Sequence, residues 1–187
     1  MLPSGTRTHL GAPAFRRVCH ESAMSRHVFF SLHYDADRSR CELVRKLPGL
    51  TPNLEAKPSE WATIKRTGEF AFKRWLEQQL RGRSCTVVLI GAESALRPAI
   101  QYEIKRSWEL RLGLVGVHVH ALRDAKGMQA AKGPNPFEAP ESGLGADASL
   151  ARVYDPPETD SKLAYRFIAD NLAQWVEQAV ALRLARP

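Results

Sequence analysis

Residues 84–91, Ser-Cys-Thr-Val-Val-Leu-Ile-Gly, decide the fold of this chain. The run is apolar or β-branched and closes at Gly91, which is typical of a strand buried on both faces of a parallel sheet. Residues 98–112 follow after a short loop with helical spacing, and Pro98 suits the first helical position. A strand that leads through a short loop into a helix is half of a βαβ unit. Ligands of open parallel sheets bind at the carboxyl ends of such strands, so functional residues are expected there.

Strand-like and helix-like patterns alternate along the rest of the chain. The predicted strands are residues 26–33, 84–90, 114–122 and 151–154, with a further short edge strand within 47–60. The predicted helices are residues 35–46, 67–80, 98–112 and 161–184. This alternation predicts an α/β sandwich with a mainly parallel sheet and with residues 84–90 at its centre. The loop at 123–150 is longer than usual, and such loops are generally functional or disordered.

Several side chains have expected places in these helices. Asp35 or Asp37 is expected to cap the first helix, and Asp160 or Ser161 the last. The apolar stripes facing the core are expected to include Phe70, Trp75, Leu76 and Leu80 in the second helix, and Leu163, Phe167, Leu172, Trp175 and Val176 in the last.

Length and composition indicate one domain. Of the 187 residues, residues 1–23 have no clear period and are predicted to form a loose extension, while residues 24–187 form a single domain. No apolar run is long enough for a membrane span and no secretory signal is seen, so a cytoplasmic protein is expected. The net charge of +7 suits an anionic ligand such as a nucleotide. The basic residues are spread over predicted helix faces, so nucleic-acid binding is not expected.

General catalytic and metal motifs are absent from the sequence. There is no GxxxxGK[ST] phosphate loop, no GxSxG and no HExxH. His118 and His120 share one strand face, but no acidic or cysteine partner lies nearby in the sequence. A structural role is therefore expected for both, and no metal site is predicted.

Five segments, taken together and in order, resemble the TIR-like proteins of bacteria, most closely the TIR-like subunit of the Thoeris anti-phage system. The resemblance extends over about residues 25–180 and is carried by VFFSLHYD at 28–35, GRSCTVVLIG at 82–91, YEI at 102–104, GLVGV at 113–117 and GPNPF at 133–137. It implies a flavodoxin-like three-layer fold. It also implies a cytoplasmic enzyme that takes NAD as its substrate, without a further cofactor, and cleaves the nicotinamide–ribose bond.

The same resemblance implies partners. The product would be an ADP-ribose-derived signal, often cyclic, that activates a partner effector protein, and the domain would self-assemble through TIR–TIR contacts. A second hypothesis from a different class is a non-catalytic TIR-like module that binds a nucleotide or assembles with other proteins. A flavodoxin-like fold can host either function.

Glu103 is the candidate catalytic residue. The resemblance aligns it with the family's catalytic glutamate, although Ala99 stands where an aromatic residue is usual four positions earlier. The chemistry supports this assignment independently, because breaking the bond builds positive charge on the ribose and a carboxylate stabilises that charge. Without the resemblance, an exposed glutamate paired with Lys105 or Arg106 would be the simpler interpretation.

The rest of the site is expected from the ends of neighbouring strands. The candidate ligand-binding residues are Phe30, Ser31, His33, Tyr34, Asp35 and Arg97. Core packing for Phe30, helix capping for Asp35 and simple solvent exposure for Arg97 are the alternatives, and each is about as well supported by the sequence as a ligand-binding role.

Overall fold

The computed structural model describes residues 25–54, 63–64 and 66–185. The predicted extension at 1–23 lies outside the described residues. Within the described part of the chain, no helix combines the length and the apolar character that crossing a membrane requires.

The sheet is parallel throughout the described residues. Its strands are β1 (Arg26–Leu32), β2 (Leu50–Pro52), β3 (Cys85–Ile90), β4 (Gly113–His118) and β5 (Arg152–Tyr154). They lie side by side in the order β2-β1-β3-β4-β5, so the predicted central position of β3 is confirmed. Every residue of β3 is buried, as its unbroken apolar run requires.

Helices cover both faces of the sheet. They are α1 (Tyr34–Arg45), α2 (Glu69–Leu80), α3 (Pro98–Glu109) and α4 (Ser161–Leu184). On one face, α1 and α4 pack against alternate residues of β1, β3 and β4 in the larger apolar core. On the other face, α2 and α3 pack against the intervening residues. This arrangement confirms the predicted three-layer α/β sandwich.

The register of the strands brings the ends of β1, β3 and β4 to one edge. Leu32 of β1 pairs with Leu89 of β3, and Ile90 of β3 pairs with His118 of β4. Parallel strands point the same way, so the residues that follow these three strands emerge side by side. The chain passes through His33 from β1 into α1, and through a loop with a 3₁₀ turn at Ser94–Leu96 from β3 into α3.

The predicted cap of the first helix is wrong, while that of the last is confirmed. His33 occupies the N-cap position of α1 and no side chain caps that end, because Asp35 and Asp37 lie inside the first turn. Asp160 caps α4, since its carboxylate accepts hydrogen bonds from the backbone nitrogens of Lys162 and Leu163.

Two residues predicted in the apolar stripes are exposed instead. Phe70 is 81% exposed and Leu163 is 49% exposed. Both point away from the buried side of their helix, which is formed by Leu76 and Leu80 in α2 and by Ala164, Ile168, Leu172 and Val176 in α4. The predicted stripes therefore included apolar residues that lie outside the face covered by the sheet.

The long loop after β4 is ordered by short 3₁₀ turns at Pro136–Glu138, Pro140–Ser142 and Gly145–Leu150. Its Phe137 is 1% exposed in the core beside α3. Gly133 lies so close to the backbone of Gly91 that a Cβ there would collide with the Gly91 carbonyl oxygen. The loop therefore packs over the exit of the central strand.

Candidate functional site

Glu103 is buried in the second turn of α3, with only 6% of its surface exposed. Ile100 and Ile104 of the same helix are buried in the apolar core against the sheet. The Oε2 atom of Glu103 has no hydrogen-bond partner among the described residues. Burial raises the pKa of Glu103 from its ordinary value of 4.5 to about 8. The simpler interpretation of Glu103 as an exposed, ion-paired residue is therefore wrong.

Ser31 faces the carboxyl group of Glu103 from the end of β1. The serine is 1% exposed, and its hydroxyl lowers the pKa of Glu103, offsetting part of the increase that burial causes. Ser31 Oγ forms no hydrogen bond of normal geometry within the described residues. A polar pair is thus buried on the α3 side of the sheet with unused hydrogen-bonding capacity.

Phe30 points to the opposite face of the sheet from Ser31, because successive strand residues alternate. It packs in the core between the sheet and the α1–α4 layer. Its backbone nitrogen donates to Oδ1 of Asn53 at 3.0 Å, and Arg45 lies 5.8 Å above its ring. The structure does not bring the Phe30 ring to Glu103, which favours core packing. The aromatic residue of β1 on the Glu103 face is Phe29, which sequence reasoning missed.

Three predicted residues lie where β1 leads into α1, namely His33 at the N-cap position and Tyr34 and Asp35 in the first turn of the helix. The Nδ1 atom of His33 is buried without a hydrogen-bond partner in the described structure. The ring of Tyr34 is covered by the guanidinium of Arg38 at 5.1 Å. Asp35 is exposed in the first turn of the helix. These three residues lie at the edge of the sheet where β1 ends, with the Nδ1 atom of His33 buried and the Asp35 side chain exposed.

A buried ion pair that sequence reasoning missed supports this edge. Asp37 and Arg40 are 2% and 4% exposed, and Arg40 Nη1 lies 3.1 Å from Asp37 Oδ1. Arg40 also donates to the carbonyl oxygens of Leu122 and Met128 in the loop after β4. Burial raises the pKa of Asp37, and Arg40 counteracts that shift. Helical spacing of Asp37 and Arg40 was the only available signal, and it does not report burial.

Arg97 stands at the N-cap position of α3 and pairs with Glu93 in the preceding loop. Its Nε atom is buried and has no hydrogen-bond partner among the described residues. Gln101, one turn further along α3, is 4% exposed and donates to the Ala95 carbonyl oxygen, while its own Oε1 is left without a partner in the described chain. Gln101 is a candidate polar residue that the sequence analysis did not select.

Ala99 opens onto a cleft between the first turns of α2 and α3. The cleft has a volume of about 530 Å³ and is lined by Ile64, Gly68, Glu69, Phe72, Lys73, Pro98, Ala99 and Tyr102. The rings of Phe72 and Tyr102 lie 6.1 Å apart, and Lys73 Nζ lies 5.0 Å from the Tyr102 ring centroid. The small side chain at position 99 therefore adds to an apolar cleft walled by aromatic rings.

His118 and His120 do have an acidic partner in space, contrary to the sequence analysis. Asp155, which follows β5, lies with both histidines in one cluster. The residues are distant in the sequence because the long loop separates β4 from β5. Burial lowers the pKa of His118 to about 4, so its imidazole is neutral near pH 7.

Comparison with known proteins agrees with this architecture. A family model described as "Thoeris protein ThsB, TIR-like domain" matches residues 29–124. The chain is also 34% identical over 137 residues to a protein of Bacillus cereus (strain MSX-D12) named "Putative cyclic ADP-D-ribose synthase ThsB1", an alignment that covers 71% of each chain. The span matched by the family model contains Ser31, Arg97 and Glu103. The chain belongs to the family of TIR-like Thoeris ThsB proteins.

Proposed function

We propose that this protein consumes NAD, cleaves its nicotinamide–ribose bond and produces an ADP-ribose-derived signal, with Glu103 as the catalytic carboxylate. The observation that carries the proposal is the buried Glu103 carboxyl group with an unpartnered oxygen beside Ser31. Membership of the ThsB family and the name of the Bacillus cereus relative support the same reaction.

The reaction needs few groups from the protein. The C–N bond between ribose and nicotinamide breaks with its electron pair passing to the nicotinamide nitrogen, so the leaving group departs neutral and needs no acid. Positive charge develops on the ribose, and the Glu103 carboxylate stabilises it. In a cyclisation, a nucleophile within the same ADP-ribose attacks the ribose carbon and loses a proton to solvent. Folding the ligand and excluding water favour this path over hydrolysis.

The raised pKa of Glu103 is consistent with a carboxyl group that loses its proton when the substrate binds. In the free protein the carboxyl group is largely neutral at pH 7, because its pKa is about 8. The pyridinium ring of NAD carries a positive charge, which favours the carboxylate form when it is held nearby. The Ser31 hydroxyl favours the same form.

The remaining site residues are assigned by their position at the edge where β1 and β3 end. We assign ligand contacts to Ser31, His33, Tyr34, Asp35 and Arg97, with Arg97 suited to a phosphate at the start of α3. Phe30 has weaker support because its ring lies on the other face of the sheet.

The proposed partners are an effector that the signal activates and further copies of the same domain. Phe70 and Leu96, which are 81% and 74% exposed, are candidate contacts for self-assembly. Exposed large apolar side chains of this kind often mark protein contacts.

The proposal is tested by incubating the purified chain with NAD at several protein concentrations and analysing the products by mass spectrometry. Release of nicotinamide with a product lighter than ADP-ribose by one water identifies a cyclase, and ADP-ribose itself identifies a hydrolase. NAD that stays bound and intact, at concentrations that allow self-assembly and with the effector present, would favour the non-catalytic module.

A further inference from the structure

Two histidines and an aspartate meet where β4 and β5 end. His118 is the last residue of β4, His120 follows it by two residues, and Asp155 directly follows β5. One ligand atom from each of the three side chains lies within 4.8 Å of the other two. The imidazole rings meet edge to face, with centroids 5.6 Å apart.

Both imidazoles have unused nitrogen atoms. His118 is 4% exposed, and Nδ1 of His118 and Nδ1 of His120 are buried without hydrogen-bond partners among the described residues. Leaving a buried polar atom unsatisfied costs about 1–3 kcal/mol, so two adjacent cases call for an explanation. A ligand that accepts nitrogen lone pairs provides one.

We propose that His118, His120 and Asp155 form a binding site for a divalent transition-metal ion, for which Zn²⁺ is the best chemical match. Two imidazole nitrogens and one carboxylate oxygen are ligands that Zn²⁺ prefers. Ligand atoms around tetrahedral Zn²⁺ lie about 3.3 Å apart, given bonds of roughly 2.0–2.1 Å. Modest side-chain rotations are enough to reach this spacing from 4.8 Å.

The site has an open side. A cavity of about 310 Å³ adjoins His120 and Asp155 and is lined further by Gln129, Glu158 and Thr159. His120 is 21% exposed and Asp155 is 36% exposed at the side chain, so an ion and its water ligand can enter from there. Three protein ligands with a fourth position left to water are a common arrangement for Zn²⁺.

Lys132 competes for the same carboxylate. Its Nζ atom lies 2.7 Å from Asp155 Oδ2, while Oδ1 faces His120 Nδ1 at 3.9 Å. The ammonium group neutralises Asp155 and repels a second cation, so a metal ion must share or displace this contact. Removing the Lys132 charge therefore strengthens metal binding, whereas removing a ligand weakens it.

The bound ion would link the exits of two neighbouring strands across the long loop that separates them. Binding to the folded state alone stabilises that state in proportion to the logarithm of the metal concentration. The proposal does not rest on the proposed reaction at Glu103, and its test does not use catalytic activity.

The test uses the full chain without an affinity tag, freed of metal by a chelator and then dialysed. Titration with Co²⁺, followed by its visible absorption, and with Zn²⁺, followed by calorimetry, is expected to show one ion per chain and a higher melting temperature. His120→Gln and Asp155→Asn are each expected to lower the metal affinity at least about tenfold. Even the loss of a residue that only hydrogen-bonds to a metal ligand typically has an effect of this size. His27→Gln, an exposed histidine of β1, is the matched control and is expected to bind as the parent does.

Lys132→Gln is expected to raise the affinity several-fold, an effect that a purely structural cluster does not produce. His120 and Asp155 are partly exposed, so these variants are expected to fold, and their metal-free melting temperatures verify it. The proposal is overturned if the wild type binds no ion, if His120→Gln and Asp155→Asn bind as tightly as the parent, or if Lys132→Gln binds no more tightly.

Discussion

The carboxylate of Asp37 fills the space beside the Cα of Gly91, so that a Cβ at position 91 would collide with both carboxylate oxygens and with Cγ. Asp37 cannot easily yield, because it is 2% exposed and paired with the equally buried Arg40. Gly91, which directly follows the central strand β3, therefore packs closely against Asp37 in the first turn of α1. The ends of β1 and β3, where the candidate site lies, depend on this contact.

Gly91→Ala is expected to destabilise the fold. The added methyl group must displace Asp37 or the backbone of β3, and such overpacking costs about 1–3 kcal/mol. Chemical denaturation of the parent and the variant measures the difference. A variant as stable as the parent would show that Asp37 moves freely.

Arg40→Met is expected to lower the free energy of unfolding by about 3–5 kcal/mol, because it leaves the Asp37 carboxylate buried without its partner. Arg38→Met on the same helix is the matched control. Arg38 is 44% exposed and pairs with Glu42 at the surface, so its loss is expected to cost no more than about 1 kcal/mol. Equal effects of the two substitutions would contradict the assigned role of the buried pair.

The pH dependence of stability is expected to report the buried Glu103 carboxyl group. Its pKa is raised from 4.5 to about 8, so between these values the folded state binds more protons than the unfolded state. The stability contribution of this group is complete below pH 4.5 and is lost as pH rises through 8, with a slope of up to about 1.4 kcal/mol per pH unit.

Glu103→Gln removes this titration without changing the size of the side chain. The difference in unfolding free energy, variant minus parent, is expected to grow from pH 5 towards pH 8 and then to level off. Denaturation curves at several pH values measure it. A difference that stays constant with pH would mean that the carboxyl group is not buried in solution.

Ser31→Ala is expected to raise the pKa of Glu103 further, because the serine hydroxyl favours the carboxylate form. In the proposed reaction the free enzyme needs the carboxylate, so kcat/KM is expected to rise with pH through about 8 in the parent. In Ser31→Ala the same rise is expected at higher pH. A profile that does not move would exclude an electrostatic role for Ser31.

Much of the fold follows from sequence periodicity. The apolar run of β3 requires burial on both faces, and the alternation of strands and helices requires parallel crossovers. Phe70 and Leu163 are apolar but lie outside the buried face of their helix, as the complete burial of Ala164 beside Leu163 shows, so apolar character alone did not identify the covered face. The cap of α1 was misplaced because Asp37 instead pairs with Arg40 in the interior, a tertiary contact that no local pattern encodes.

The candidate site was predictable in its carboxylate but not in its surroundings. Glu103 was selected through the family resemblance, whereas its burial and its contact with Ser31 depend on how α3 lies on the sheet. Strand alternation alone would have placed Phe29, rather than Phe30, on the same face as Ser31. The proximity of Asp155 to His118 depends on the pairing of β4 with β5 across a long loop.

Release of nicotinamide from NAD by the parent, by Glu103→Gln and by Glu109→Gln tests the central claim most directly. Glu109 lies on the same helix with its side chain 46% exposed, so it controls for the loss of a carboxylate on α3. We expect Glu109→Gln to keep the parental rate, and Glu103→Gln to fold normally and to lose about 10²–10³ in rate, because a preorganised charge is removed. A Glu103→Gln variant that releases nicotinamide as fast as the parent would contradict the assignment of Glu103 as the catalytic carboxylate.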